Sequence, residues 1–217
     1  MKPKVIGLGA GGHAKVMIEA LRERGDFEMA GLLDAAPEFK GRSVLGVPVL
    51  GGDELIPDLL KQGVTQFFLG IGSVRESGSR RRLFEFALAQ GLKPINVIHP
   101  RAILSPSAKI EAGICILAAA VVNADACLGE NVIVNTAAVV EHDCIIGAHS
   151  HVATGSRLAG GVTVGQGSHL GIGCAVRQGI CIGRNAVVGA GAVVVHDVAD
   201  GAVVVGVPAR PIRRKLL

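Results

Sequence analysis

From Leu104 to Val194 a Leu, Ile or Val returns at every sixth position, sixteen times in one register and without an insertion. The residue four places after each is small or β-branched, as at Ala108, Ala126, Ser150, Ser156, Cys174 and Ala186. A period of six fits neither the 3.6-residue turn of an amphipathic helix nor the two-residue alternation of a half-buried strand. It predicts short strands joined by tight turns, each coil burying its aliphatic row against the next, in a parallel β-helix.

Before the repeat the pattern changes to alternating strands and helices. Lys4 to Leu8 reads as a short strand, Gly9 to Gly12 as a glycine turn, and Ala14 to Arg24 as an amphipathic helix with Val16, Met17, Ala20 and Leu21 on one side. Further strands are expected at Glu28 to Leu33 and Gln66 to Ile71, with helices around Asp53 to Gln62 and Arg75 to Gln90. The succession predicts a small parallel α/β unit over residues 1–98, followed by the repeat domain over 99–217.

Composition narrows the partners. The 217 residues include 31 Gly, no Trp and no Tyr, which suits tight turns and a slim aliphatic core. A net charge of +4, with no basic stripe interleaved with aromatics, argues against nucleic acid. Arg210, Arg213, Arg214 and Lys215 cluster near the end, as a solvated tail or as a contact for phosphate. Cys115, Cys127, Cys144, Cys174 and Cys181 lack CxxC spacing and read as reduced thiols on repeat positions. Two lysines precede an apolar stretch that glycines and His13 interrupt too soon for a signal peptide or membrane span, so a cytoplasmic protein is expected.

Two places carry candidate chemistry. Gly7, Gly9 and Gly12 have GxGxxG spacing between a strand and a helix, and Asp34 stands 22 residues after Gly12 at the end of the second strand. Glycines there let the backbone approach phosphate, the helix N-terminus attracts it, and an acid can bind ribose hydroxyls. The unit is too short for the two-halved dinucleotide fold, so NAD is not the expected ligand. In the repeat, Glu141-His142-Asp143 falls at a turn, with His142 third in its hexad. An imidazole there can take a proton near neutral pH, and a neighbouring carboxylate can hold its tautomer. His151 follows nine residues later, half of an 18-residue coil, and therefore belongs to a different face; His169 is one coil above it. Ala119, Ala137, Gly155, Gly173 and Gly191 form a column of small residues, read either as turns needing positive φ or as a trough for an extended cofactor.

The motifs GAGGHAK at 9–15, LLD at 32–34, GIGSVR at 70–75, IHPRA at 98–102 and NTAAVVEHD at 135–143 resemble those of hexapeptide-repeat acetyltransferases acting on nucleotide-linked amino sugars or on sialic acid. The resemblance implies an N-terminal Rossmann-like α/β domain followed by a left-handed parallel β-helix with 18 residues per coil. Sixteen hexads make about five coils, a prism about 25 Å long. It also implies a homotrimer with acetyl-CoA lying between neighbouring prisms. His142 corresponds to the general base and Asp143 to the acid that raises its basicity, with Glu141 as a possible second orienting group. Gly11, Gly12, His13, Asp34, Ala35 and Gly72 correspond to the sugar-nucleotide contacts. His151, Gly160, Ile172 and Gly173 correspond to positions along acetyl-CoA. No metal is implied.

The expected reaction is N-acetylation of a UDP- or GDP-linked 4-amino deoxy sugar, with O-acetylation of sialic acid as the second reading. A γ-class carbonic anhydrase would bind zinc through histidines, and His142, His149, His151 and His169 invite the comparison, but the close H-x4-H pair is missing. A non-catalytic sugar-nucleotide scaffold is the third reading, against which the His142-Asp143 pair stands.

Overall fold

A computed structural model describes residues 2–73 and 78–212. Its contacts divide the chain into two compact units, Met1–Gly72 with Arg80–Pro100, and Ser73–Ser79 with Arg101–Leu217. The second unit thus takes a short segment from inside the expected first domain. Among the described residues no helix is long and apolar enough to cross a membrane.

The first unit is a parallel sheet wound by helices. Its strands are β1 (Lys4–Leu8), β2 (Glu28–Leu33), β3 (Ser43–Val44), β4 (Val47–Gly51), β5 (Gln66–Leu69) and β6 (Lys93–Pro94), and its helices α1 (Gly12–Arg24), α2 (Ile56–Lys61) and α3 (Gly78–Ala89). The sheet order is β3-β4-β2-β1-β5-β6, parallel except for the β3–β4 hairpin. That hairpin was not foreseen, because its five-residue arm contains a proline and two glycines flank it. The expected helix at 53–62 is a 3₁₀ turn, Asp53–Leu55, continued by the shorter α2. Residues 75–77 of the helix expected at 75–90 lie outside the described residues, and α3 covers 78–89.

Ile6, Leu8, Leu33, Ile56, Phe67, Leu69 and Phe84 form one buried cluster, with the Phe67 and Phe84 rings 5.8 Å apart. Met17, Ile18 and Leu21 are the buried face of α1. Arginines in its last turn and a left-handed Gly25 at its C-cap suit the negative end of the helix. At its start, Gly11 contributes no side-chain cap.

The second unit realises all sixteen hexads as two-residue strands, from Ile103–Leu104 to Val193–Val194. Up to Ala175–Val176 each pairs in parallel with the strand 18 residues on, for example Val139↔Arg157 and Val140↔Leu158, which generates three sheets. The fold is the left-handed parallel β-helix. The aliphatic row is buried throughout from Ile116 to Val194, so every coil stacks Val, Leu or Ile on its counterpart. From Gly113 to Gly191 the fourth hexad position adopts left-handed φ at every corner, as at Asp125, Asn131, Asp143, His149 and Gly161, which suits the Asn, Asp and Gly found there.

Small residues at the fifth hexad position do more than fit. The hydroxyls of Ser150, Ser156 and Ser168 donate to the carbonyls of Gly165, Gly171 and Gly183, each 15 residues ahead, and the Cys144 thiol donates likewise to Ala159. These bonds satisfy turn carbonyls that the strand ladder leaves over. Past the last hexad, Val203–Val205 and Arg210–Ile212 close the end as an antiparallel pair. Arg213, Arg214 and Lys215 lie outside the described residues. Of the five cysteines all are free, but only Cys115, Cys144 and Cys174 are buried; Cys127 is half-buried and Cys181 exposed.

Candidate active site

In the first unit the chain runs β1 to β2 in one direction and returns to β5 on the other side of β1, so the sheet order reverses between β1 and β5. A crevice at the carboxyl ends of such strands is where open α/β sheets bind ligands. The loops there are 9–12 and 70–73. They touch: a Cβ on Gly70 would lie 2.2 Å from the Gly9 carbonyl oxygen. The three motif glycines have different reasons. Gly7 admits the packed side chains of Leu32 and Phe68, and Gly9 has φ +99°. Gly11 and Gly12 have open space where a side chain would stand, at the amino end of α1. His13 follows, its ring against Gly72, where an added Cβ would meet Cγ at 3.8 Å.

Asp34 sits at the end of β2 and is part-buried. One carboxylate oxygen accepts from the Ala10 N–H at 2.8 Å and the other from the Ala36 N–H at 3.0 Å. It therefore holds the glycine turn to the strand end, a role the spacing did not reveal. Ala35 beside it is exposed. Asp53 also lies near, its carboxyl raised above the ordinary carboxylate value by burial first and then by Glu54 and Asp34. Arg80, which sequence reasoning missed, is buried and donates to the carbonyls of Leu69 and Ile71, fixing the 70–73 loop from behind. Val74 and Arg75 of the GIGSVR motif lie outside the described residues.

In the prism, His142 stands at the corner between the strands Val139–Val140 and Ile145–Ile146, with its side chain 54% exposed. Its Nδ1 is 2.7 Å from Asp143 Oδ2. The carboxylate can only accept, so Nδ1 carries the proton and Nε2 holds the lone pair. That bond raises the histidine above its ordinary pKa, with desolvation pulling the other way and charge from Asp143 and Glu141 adding to the rise. Asp143 reaches the ring from a left-handed backbone at φ +59°, a conformation a short Asp tolerates. Glu141 bonds the His142 backbone and not its ring: its Oε2 accepts from Asn123 Nδ2 at 2.9 Å and from the His142 N–H at 3.3 Å. The orienting bond is thus Asp143's, with no share for the Glu141 carboxylate.

His151 is on another face, in the strand His151–Val152. It is 7% exposed. Its Nδ1 donates to the Ser73 carbonyl at 2.8 Å, which leaves Nε2 to accept from Asn135 Nδ2 at 3.0 Å. Asn135 is oriented in turn, because its Oδ1 accepts the Thr136 N–H at 2.8 Å. Ser73 and Asn135 were not singled out from the sequence, although Asn135 opens one of the quoted motifs. His169 pairs in register above His151, the rings edge-on at 5.0 Å, and burial pushes its pKa down. His149 is at a corner, bonded to Asn131 at 3.0 Å. Among the described residues no three His, Cys, Asp or Glu side chains gather as a metal site.

Gly160 lies one coil above His142, its bare Cα against the ring. Ile172, 63% exposed, and Gly173, with φ +65°, are two hexads further along and so on a different corner. The column Ala119, Ala137, Gly155, Gly173 and Gly191 has positive φ at every member, so turn geometry already accounts for it. A cavity of about 300 Å³ opens at the last coil, lined by Val194, His196, Asp197, Val198, Val204 and Arg210, of which only Arg210 was singled out from the sequence.

A nucleotide-ready α/β unit and a β-helix bearing an oriented imidazole are together the parts of a sugar acyltransferase. Residues 4–85 match the PglD N-terminal domain family. Perosamine N-acetyltransferase from Caulobacter crescentus, solved as a histidine-to-asparagine mutant in complex with CoA and GDP-perosamine, is 42% identical over 96% of both chains, with a TM-score of 0.90. The acetyltransferase domain of PglB from Neisseria gonorrhoeae, in complex with acetyl coenzyme A, is 38% identical over 98% of this chain and 100% of its own, with a TM-score of 0.88. WeeI from Acinetobacter baumannii shares the fold at 24% identity over 96% of this chain and 100% of its own, with a TM-score of 0.84. A comparison with curated proteins gave no match. The chain belongs to the hexapeptide-repeat sugar acetyltransferases.

Proposed function

We propose that this protein transfers the acetyl group of acetyl-CoA to the amino group of a nucleotide-linked amino sugar, with His142 as general base. The carrying observation is the His142–Asp143 pair, which leaves Nε2 unprotonated on an exposed corner while Nδ1 is held at 2.7 Å. The sugar amine attacks the thioester carbonyl carbon and Nε2 takes the proton it releases. The C–N bond forms, the tetrahedral intermediate collapses with loss of the C–S bond, and the imidazolium returns the proton to the departing thiolate. The Gly160 N–H, beside the ring, makes no hydrogen bond among the described residues and is available to the developing oxyanion. Holding both substrates in place supplies much of the remaining acceleration.

The first unit, through Gly11, Gly12, His13, Asp34, Ala35 and Gly72, holds the sugar nucleotide. The relative from Caulobacter was solved with GDP-perosamine, which makes a GDP-linked 4-amino sugar the first acceptor to try. The prism binds acetyl-CoA along His151, Gly160, Ile172 and Gly173. These residues lie on more than one face and corner of a single prism, so one ligand can meet them all only where a second copy of the chain contributes. This supports a homotrimer with sites between subunits, in the cytoplasm where acetyl-CoA is made. Turnover of acetyl-CoA against a panel of GDP- and UDP-linked amino sugars, read by the acetyl mass shift of the product, tests the reading. No product from any amino sugar, with acetylation of a free sialic acid instead, would overturn it.

A further inference from the structure

We propose that Gly160 is a positioning residue for His142, its bare Cα being the seat on which the imidazole lies. The inference rests on the reading of His142 as the base. A Cβ built on Gly160 would lie 2.5 Å from Cε1, 2.5 Å from Nε2 and 3.2 Å from Cδ2 of that ring, all far inside van der Waals contact.

Other prism glycines have another cause. A Cβ on Gly147, Gly165 or Gly171 would strike backbone of the following coil, the nearest atoms being Gln166 N at 2.5 Å, Arg184 N at 2.5 Å and Val188 O at 2.6 Å. Those three are demanded by coil stacking. Gly161, Gly173 and Gly191 have left-handed φ and are demanded by the turn. Gly160 meets neither demand: its φ is outside the left-handed region, and the three atoms nearest its absent side chain all belong to His142. The fold would accept alanine here, and the imidazole would not.

The ring has somewhere to go. His142 is an exposed corner side chain, so a methyl group at 160 pushes it into solvent rather than disrupting a core. Displacement moves Nε2 and breaks the 2.7 Å bond from Nδ1 to Asp143. The charged groups around the ring are Asp143 and Glu141 on its own turn. The coil above offers only Ala159, Gly160 and Gly161, and the coil below places Asp125 beneath Asp143. Once the Asp143 bond is lost, the histidine should titrate nearer its ordinary value.

The test is Gly160→Ala in the full-length protein. The thermal midpoint should stay level or rise slightly, since alanine restricts the unfolded chain more than glycine does. In an NMR titration of ring-labelled histidines, the His142 signal, assigned by its loss in His142→Ala, should shift to a lower pKa. Turnover at saturating substrates should fall by about tenfold or more, while the KM for acetyl-CoA changes by less than about threefold. In the His142→Ala background the added Gly160→Ala, which keeps the backbone N–H, should cost much less activity than it does in the wild type. An unmoved His142 titration with normal turnover overturns the proposal. So does a raised KM for acetyl-CoA with the His142 signal unchanged, which would leave Gly160 acting through its acetyl-CoA contact alone. A shifted titration together with unimpaired turnover in His142→Ala would keep the seat and remove the base, so the two readings fail separately.

Discussion

Replacing His142 with alanine removes the one lone pair that the His142–Asp143 pair presents to substrate. The side chain is 54% exposed and its ring bond goes to the still more exposed Asp143, so fold stability should change little. General-base catalysis contributes about 10²- to 10⁴-fold. At about 1.4 kcal/mol per tenfold, the variant should lose about 3–6 kcal/mol of transition-state stabilisation, with sugar-nucleotide affinity little altered. Asp143→Asn should be milder and show a distinct signature. Because Asp143 raises the His142 pKa and the base works unprotonated, activity in the wild type rises with pH through a value above that of an ordinary histidine. Removing the carboxylate charge should move this acid limb to lower pH while reducing the plateau. The assay is the initial rate of thiol release from acetyl-CoA with the amino-sugar nucleotide across pH, alongside thermal midpoints and calorimetric titration of the nucleotide. Near wild-type turnover in His142→Ala, or an acid limb that Asp143→Asn leaves in place, would refute the reasoning.

Asp34→Ala or Gly12→Val should raise the KM for the sugar nucleotide by about 10- to 100-fold, as expected for losing a charge-assisted contact or filling an open cradle, and leave that for acetyl-CoA nearly unchanged; a selective loss of acetyl-CoA binding in calorimetry would show the two units to be assigned in reverse. Sedimentation at micromolar concentration should give a trimer, and a fully active monomer would sink the intersubunit site. Burial holds His169 below the ordinary histidine pKa, so the unfolded chain takes up that proton first and stability is lost as pH falls through the ordinary histidine range; thermal midpoints of wild type should drop more steeply there than those of His169→Gln, and parallel curves would count against this account.

The prism was legible because its code is one-dimensional. A residue's place in the hexad decides whether it faces the aliphatic pile, the turn or the solvent, so the sixteen-fold register placed every short strand and put His142 at a corner. The doubly wound first unit was legible more coarsely, from a glycine turn between strand and helix and an acid at a strand end. The β3–β4 hairpin escaped because proline and glycine weaken the strand signal over so short a run.

What remained hidden depends on contacts between residues distant in sequence. Nothing near Asp34 announces that both its oxygens tie backbone amides, because one of those amides belongs to Ala10 in another loop. Ser73 and His151 are 78 residues apart, and the hydrogen bond that sets the histidine tautomer exists only once the prism receives that segment. By resemblance Gly160 corresponds to a position along acetyl-CoA, and nothing in the sequence ties it to His142. Only stacking at an 18-residue interval shows that the space it leaves open is filled by the ring of His142. A repeat determines its own geometry through local spacing, whereas the orientation of a working side chain is set by whichever neighbours the folded chain brings within a few ångströms.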